Sequence, residues 1–321
     1  MKYPLKNAEP TTRDCFGTEK QITLSWSRLK DWESCHQRVK LIMGGKRSQI
    51  SNARNALVGN LVDHCMREAL EKAPKDPKGR LADLTLKMIR DPLAKKWEEE
   101  IAPDRGVMLW RGADPAKDQR EVLDKVVLAM EKLFPILETK VLGRRFIPEF
   151  RPKEMPVIGI PGPDGETAYI RLYLAVDVAV QVEEENSDDP KDIGQWGLYD
   201  LKTSENEEYI NSSLRQPVFY DLAFHALTGQ YAVDWGLWVP LVDKTPIRTI
   251  KVTNEDRRDL LSSIIGYCHG VWAGDDAFTA NPKKECYNCV TKRACPRVIQ
   301  PVSKDEQGNQ RVVFGSTVRK K

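Results

Sequence analysis

No stretch of this 321-residue chain approaches the ~18 consecutive apolar residues of a membrane-crossing helix, so none is expected. The opening Met1-Lys2-Tyr3-Pro4-Leu5-Lys6 lacks the apolar run of a secretory signal, and a cytoplasmic location is the expectation. The charge is not biased either. Fifty basic and 47 acidic residues leave a net +3, too even to name a polyanionic partner, although a local basic groove would not show in the sum. There is no internal repeat and no G-x-x-x-x-G-K-[ST] phosphate loop, so a motor of its own is not expected. No helix-turn-helix or zinc-finger reader is visible, which predicts little sequence specificity toward any nucleic acid. What is present is ordinary globular composition, 40% hydrophobic and 30% charged. Seven cysteines make an odd count. In a reducing compartment, clustered thiols bind metal more often than they form disulfides.

Residues 1–20 are polar and irregular and read as a loose arm. Helical signal starts at Ser25-Trp26-Ser27-Arg28-Leu29, where Ser25 or Ser27 can cap the first turn and Leu29, Trp32 and Cys35 recur at three-residue steps. A second helix, about Asn52 to Lys72, places Ala56, Gly59, Leu61, His64 and Met66 near a common side. The stretch 74–146 reads as a helical insertion, with an apolar stripe through Val122, Val126, Met130, Leu133 and Leu137. The period then changes to two. Ala168 to Val180 is rich in β-branched and aromatic residues and reads as one strand, and Trp196 to Lys202 as a second. An acidic loop separates them. Helix follows at about Ser212–Thr228, strands near Ala232–Leu241 and Ile247–Val252, and a helix from about Asn254 to Trp272. Interleaved strands and helices predict a mixed α/β core, here over residues 147–253. Residues 254–300 carry the last helix and a cysteine cluster, and 301–321 form a polar tail.

Three ionisable residues fall in the apolar strands: Asp177 in the first, Asp200 and Lys202 in the second. A buried charge is unfavourable unless paired or metal-bound. Period-two geometry puts Asp200 and Lys202 on one face with Leu201 turned to the core. If the strands pair as a hairpin, Asp177 can approach Asp200 closely enough to share a cation. Hard divalent cations take carboxylate oxygens, and such a cation can polarise a phosphate and acidify a water.

The order Asp177 … Asp200-Leu201-Lys202-Thr203 resembles the PD-(D/E)XK nuclease core in its RecB-like form. Gly59-x-x-x-x-His64 upstream and Gln216-Pro217-Val218-Phe219-Tyr220 downstream resemble that family's helical histidine and its Gln-x-x-x-Tyr helix. The resemblance runs from about Ser25 to Pro296, outside the helical insertion. It implies a restriction-endonuclease-like mixed sheet flanked by helices. It implies that His64, Asp177 and Asp200 hold Mn2+ or Mg2+ together with the Leu201 carbonyl, the imidazole favouring manganese. Lys202 would orient or activate the water, and Gln216 and Tyr220 would contact DNA. The chain departs from the family in its long acidic loop and in Tyr173, where relatives often have glycine. Glu154, close to Pro156, is a further carboxylate that could join the site.

Cys286-x-x-Cys289-x-x-x-x-x-Cys295-Pro296 offers three thiolates to one centre, with Cys35, about 250 residues upstream, as a candidate fourth. Four thiolates serve zinc or an iron–sulfur centre. The arrangement is similar to that of the iron–sulfur RecB-like nucleases, namely the CRISPR-associated exonuclease that is fourth in the Cas series and the AddB nuclease domain. That similarity implies a [4Fe–4S] cluster on Cys35, Cys286, Cys289 and Cys295, stapling the two ends of a 21–300 nuclease domain. Closing so long a loop removes much unfolded-state entropy. Cys15, Cys65 and Cys268 are left as idle thiols, Cys268-His269 being a substitute ligand pair should Cys35 not serve. Arg144-Arg145, Lys283-Lys284, Lys292-Arg293 and Arg297 are candidate phosphate contacts. Tyr220 and Tyr287 could stack on unpaired bases, while Trp26 and Trp32 are expected in the core. The expectation is a metal-dependent exonuclease acting at single-stranded or resected DNA ends, in recombination, repair or CRISPR spacer processing. An annealing protein or a CRISPR-adaptation protein would be its partner. A non-catalytic iron–sulfur DNA-binding protein and a structure-specific endonuclease are the alternatives.

Overall fold

In the computed structural model the described residues are 23–43, 53–101, 114–162, 165, 167–183, 195–273, 295, 303–304 and 310–311. The chain begins with β1 (Thr23–Leu24), α1 (Trp26–Ser34), α2 (His36–Met43) and the long α3 (Ala53–Lys72). Three helices follow, α4 (Leu86–Arg90), α5 (Leu93–Ile101) and α6 (Pro115–Lys140), then strands β2 (Phe146–Phe150), β3 (Val157–Pro161), β4 (Thr167–Leu172), β5 (Val176–Glu183) and β6 (Gln195–Leu201). Next come α7 (Glu207–Asn211), α8 (Gln216–Thr228), β7 (Asp234–Trp238), β8 (Ile247–Thr249) and α9 (Asn254–Trp272). A two-residue pairing of β9 (Ser303–Lys304) with β10 (Gln310–Arg311) lies beyond. None of the described helices is long and apolar enough to cross a membrane.

Two compact units emerge. One comprises Met1–Lys6, Ser51–Pro156 and Leu174–Arg257, and the other Asn7–Ile50, Val157–Tyr173 and Arg258–Lys321.

The first unit is built on a five-stranded sheet in the order β2-β5-β6-β7-β8. Only the β6–β7 pair is parallel; the other three are antiparallel. Leu61, Met66 and Leu70 of α3, Met130 and Leu133 of α6, and Val178, Val180, Tyr199 and Trp238 of the sheet share one buried cluster. The stretch expected as a helical insertion thus packs into the same core as the sheet. Residues alternate as strands require, so Trp238 joins that cluster while Leu237 and Val239 join a smaller one with Ile210 of α7. α6 starts where Asp114 accepts a hydrogen bond from the Lys117 amide at 3.1 Å, with Pro115 in the first turn. α8 is buried along most of its length and ends at Gly229, whose φ of 78° allows the left-handed cap.

Tyr199 is fully buried beside the strand position that matters most below. Its ring stacks on Trp238 at 4.9 Å and its hydroxyl donates to Asp234 at 2.5 Å. Two glycines make room for it: a Cβ at Gly197 would lie 2.9 Å from the Tyr199 hydroxyl, and one at Gly236 2.8 Å from the ring. Gly236→Ala should therefore lower stability by about 1–3 kcal/mol in urea unfolding, as overpacking of a filled core does. Gly266→Ala is the control, because a methyl there meets nothing within 4 Å. It should leave stability unchanged or raise it by up to about 1 kcal/mol. Equal midpoints for the two variants would contradict the tight slot.

In the second unit β4 lies between β1 and β3, parallel to the first and antiparallel to the second. Ser25 caps α1 by accepting from the Arg28 amide at 3.3 Å. Trp32 stacks on His36 at 3.6 Å and meets Tyr267 edge-on at 5.4 Å, so both it and Trp26 are core residues. His269 Nε2 is 2.9 Å from the Pro161 carbonyl.

The run from Ala168 to Val180 is not one strand. It divides into β4 and β5, which belong to different sheets and different units. At the joint the backbone changes partners. The Tyr173 amide donates to the Leu24 carbonyl at 2.8 Å, and the Leu174 amide points to the Met155 sulfur at 3.5 Å. Asp177 consequently stands near the start of β5 and not toward the end of a long strand. The helix expected at Ser212–Thr228 starts only at Gln216, after a turn that follows α7, so that Gln216 opens a helix and does not sit inside one.

Candidate active site

β5 and β6 form the expected antiparallel hairpin, with Val178 opposite Tyr199. Continued by one step, that register would set Asp177 opposite Asp200, and the two carboxylates act on each other electrostatically. Asp177 is fixed there by the backbone: its Oδ2 accepts the Leu201 amide hydrogen at 2.6 Å. Asp200 is 5% exposed and pairs in register with Leu237 on β7. Just past the end of β6, the Lys202 amide donates to the Trp238 carbonyl at 2.8 Å, which keeps the backbone extended. Leu201 points into the main core, and the Lys202 ammonium lies against Asp200 Oδ2 as an ion pair.

α8 supplies the next wall. Gln216 Nε2 donates to Asp200 Oδ1 at 3.3 Å and to the Tyr220 hydroxyl at 2.9 Å. The two side chains sit one helical turn apart, as the sequence spacing predicts, and Gln216 holds the acid while it also binds Tyr220. These groups open onto a cleft of 680 Å³. Ala56, Gly59, Asn60 and Asp63 of α3 line its other side, and Tyr209 of α7 stands at its edge.

His64 is not brought to this cleft. Its Nε2 lies 3.1 Å from Glu68, one turn along α3, and Glu68 also binds Lys72. Asp63, the preceding residue, is the one that lines the cleft. Neighbours on a helix point about 100° apart, so the two cannot share one direction. Ala56, Gly59, Asn60 and Asp63 recur at three and four residues, a signal present in the sequence, whereas Leu61 and Met66 belong to the core. Glu154 lies in the bend between β2 and β3. It is Glu149 of β2 that falls level with Asp177, since Pro148 pairs with Val178 and Phe150 with Val176. Glu149 has φ of 48°, the one positive value at a non-glycine among the described residues, and its side chain binds Arg67.

The electrostatics are those of crowded acids. Burial raises the Asp177 carboxyl well above the usual range, and Asp200 and Asp63 raise it further, against Lys202 and the Leu201 amide. Burial likewise raises Asp63; Arg67 opposes this, while Glu149 and Asp200 add to it. For Lys202, burial works against the charge, but Asp200 and Asp177 outweigh it and the group titrates above the ordinary lysine range. Burial and Asp200 raise the Tyr220 hydroxyl, which stays protonated.

Among the described residues no three His, Cys, Asp or Glu side chains are gathered as a finished metal cage. Asp177 is engaged by the Leu201 amide and Asp200 by the Lys202 ammonium. In kind, however, the donors fit a hard divalent cation. They are carboxylate oxygens in a desolvated, like-charged cluster, and Asp200 Oδ2 is sealed from solvent against the Lys202 ammonium.

Of the cysteines expected to bind a cluster, Cys286 and Cys289 lie outside the described residues. Cys35 ends α1, where its amide donates to the Asp31 carbonyl at 2.9 Å, and both it and Cys295 are half-buried. Cys65 and Cys268 are buried, and burial pushes the Cys65 thiol up to about 12, so it is an inert core group. Cys15, Tyr287 and the basic residues from Lys283 to Arg297 lie outside the described residues. Arg144 and Arg145 precede β2 at the sheet end remote from Asp177, the Arg145 carbonyl receiving the Gln181 amide at 2.9 Å.

A family model described as the PD-(D/E)XK nuclease superfamily matches residues 23–296. None of the curated proteins compared with the chain matches it.

Proposed function

The chain belongs to the PD-(D/E)XK nuclease superfamily, and on that premise we propose that it is an exonuclease that shortens DNA from its ends, on single-stranded or resected substrates. Metal-dependent nuclease chemistry on DNA is the property of the family. A mixed sheet with flanking helices, as in the first unit, suits a restriction-endonuclease-like fold. The observation that carries the reading is the placing of Asp177 and Asp200 on the paired strands β5 and β6, with Lys202 against Asp200, at the wall of one cleft.

In this reading Asp177, Asp200 and the Leu201 carbonyl hold Mg2+ or Mn2+, which would polarise the scissile phosphate and acidify a water. Everything else is done by the chain itself. Lys202 brings an ammonium, kept charged by its two acidic neighbours, to the place where negative charge develops on the phosphate. Gln216 fixes the Asp200 carboxylate and gives a hydrogen bond to Tyr220, leaving the phenol's own proton to meet a phosphate oxygen. Tyr209 at the cleft edge offers a flat ring to an unpaired base. Action at ends follows the resemblance to RecB-like exonucleases. Cys35, Cys286, Cys289 and Cys295 would carry a [4Fe–4S] cluster with a structural role, supported by their spacing and by the shared unit of Cys35 and Cys295.

The test is cleavage of end-labelled single- and double-stranded DNA by anaerobically purified protein, with Mg2+, Mn2+ or EDTA. The expected result is progressive shortening with either cation and none with EDTA. It should come from a brown protein holding about four irons per chain. Internal cuts in a circular substrate would replace the exonuclease reading with an endonuclease. A colourless protein that binds DNA without cutting it would overturn both parts.

A further inference from the structure

We propose that Asp63, and not His64, is the third protein ligand of the catalytic cation. The donor set is then all oxygen, and Asp63 is the residue that makes the site prefer magnesium. This inference rests on the nuclease reading above.

The geometry of α3 carries it. Gly59 and Asp63 lie one turn apart on the face that lines the cleft, in line with Ala56 and Asn60. Asp63 sits close enough to Asp177 and Asp200 for the three charges to act on one another. His64 is turned away and tied to Glu68 at 3.1 Å, and Glu68 is anchored in turn by Lys72. Bringing the imidazole into the cleft would mean rotating α3 by about 100°. That rotation would withdraw Leu61 and Met66, both wholly buried, from the core. Asp200 Oδ2 is buried against the Lys202 ammonium, its ion-pair partner, and is an oxygen that a cation could engage once Lys202 moves aside.

Ligand chemistry then sets the preference. Carboxylates and a carbonyl suit magnesium, which takes oxygen ligands and keeps several waters. An imidazole in the set would favour manganese and later transition metals. The manganese preference expected from His64 thus gives way to magnesium.

The experiment measures binding of the metal alone to the full chain, by calorimetry for Mg2+ and by electron paramagnetic resonance for Mn2+. It compares wild type, His64→Ala, Asp63→Asn and Asp63→His, each checked for native circular dichroism. His64→Ala should bind both cations within about twofold of wild type, and Asp63→Asn should lose at least about tenfold for both. Asp63→His should keep Mn2+ while losing Mg2+, a reversal that misfolding would not produce. Metal binding lost in His64→Ala and kept in Asp63→Asn would overturn the assignment while leaving the nuclease reading intact. A wild type that neither binds metal nor cleaves would overturn the reading beneath it, and this inference with it.

Discussion

Lys202→Ala is expected to slow DNA cleavage by about 10²- to 10³-fold, the usual loss when a charge that stabilises the transition state is removed. The ammonium is held where that effect should be large. It lies against Asp200, is largely covered, and is kept protonated by Asp200 and Asp177 together. The cleft presents one ammonium to three carboxylates, so the same side chain is also the resident counter-charge before any cation arrives. Removing it should therefore leave metal affinity equal or higher while the rate falls. That split separates loss of chemistry from loss of the site. Single-turnover cleavage measured beside Mn2+ binding would show it. A Lys202→Ala enzyme cleaving within tenfold of wild type would remove Lys202 from the mechanism.

Asp221→Ala should destabilise the protein by about 3–5 kcal/mol, because it leaves a largely buried charge without its partner. Asp221 is wholly buried in α8. It accepts hydrogen bonds from the Trp235 indole at 2.9 Å, the Ala232 amide at 3.2 Å and the Arg257 guanidinium at 2.7 Å. Arg257 also covers the Tyr231 ring at 3.8 Å, whose other neighbour is His225, stacked at 4.0 Å. One carboxylate thus joins α8, the turn into β7 and the first turn of α9. Asp221→Asn should fall between, since the amide oxygen can still serve Trp235 while the charge facing Arg257 is gone. Urea unfolding of the three proteins checks this, and equal midpoints for wild type and Asp221→Ala would refute it.

Much of this was legible before any coordinates. The β5–β6 hairpin could be read because β-branched residues alternate with three charges that an apolar strand would not otherwise hold. α9 could be bounded at Asn254 and Trp272 from its pattern alone. What could not be read shares one physical cause, dependence on partners far away in sequence. An apolar run from Ala168 to Val180 looks the same whether it joins one ladder or two; the break is set by Leu24 and Met155. The choice between Asp63 and His64 is a matter of helix phase, fixed by Leu61, Met66 and the sheet under them. An acid inside the apolar α8 announces a buried partner, yet nothing local says that it is Arg257. The positive φ of Glu149 had no local signal, since the sequence around it offers neither glycine nor asparagine.

The Leu201 amide has a use outside catalysis. At 2.6 Å from a carboxylate oxygen, its hydrogen bond is short for an N–H donor and charge-assisted. Such a proton resonates far downfield, and any cation taking Asp177 Oδ2 must share or displace it. A single backbone cross-peak in a nitrogen-correlated spectrum therefore reports whether the catalytic centre is loaded. It needs no substrate, no turnover and no label beyond nitrogen-15.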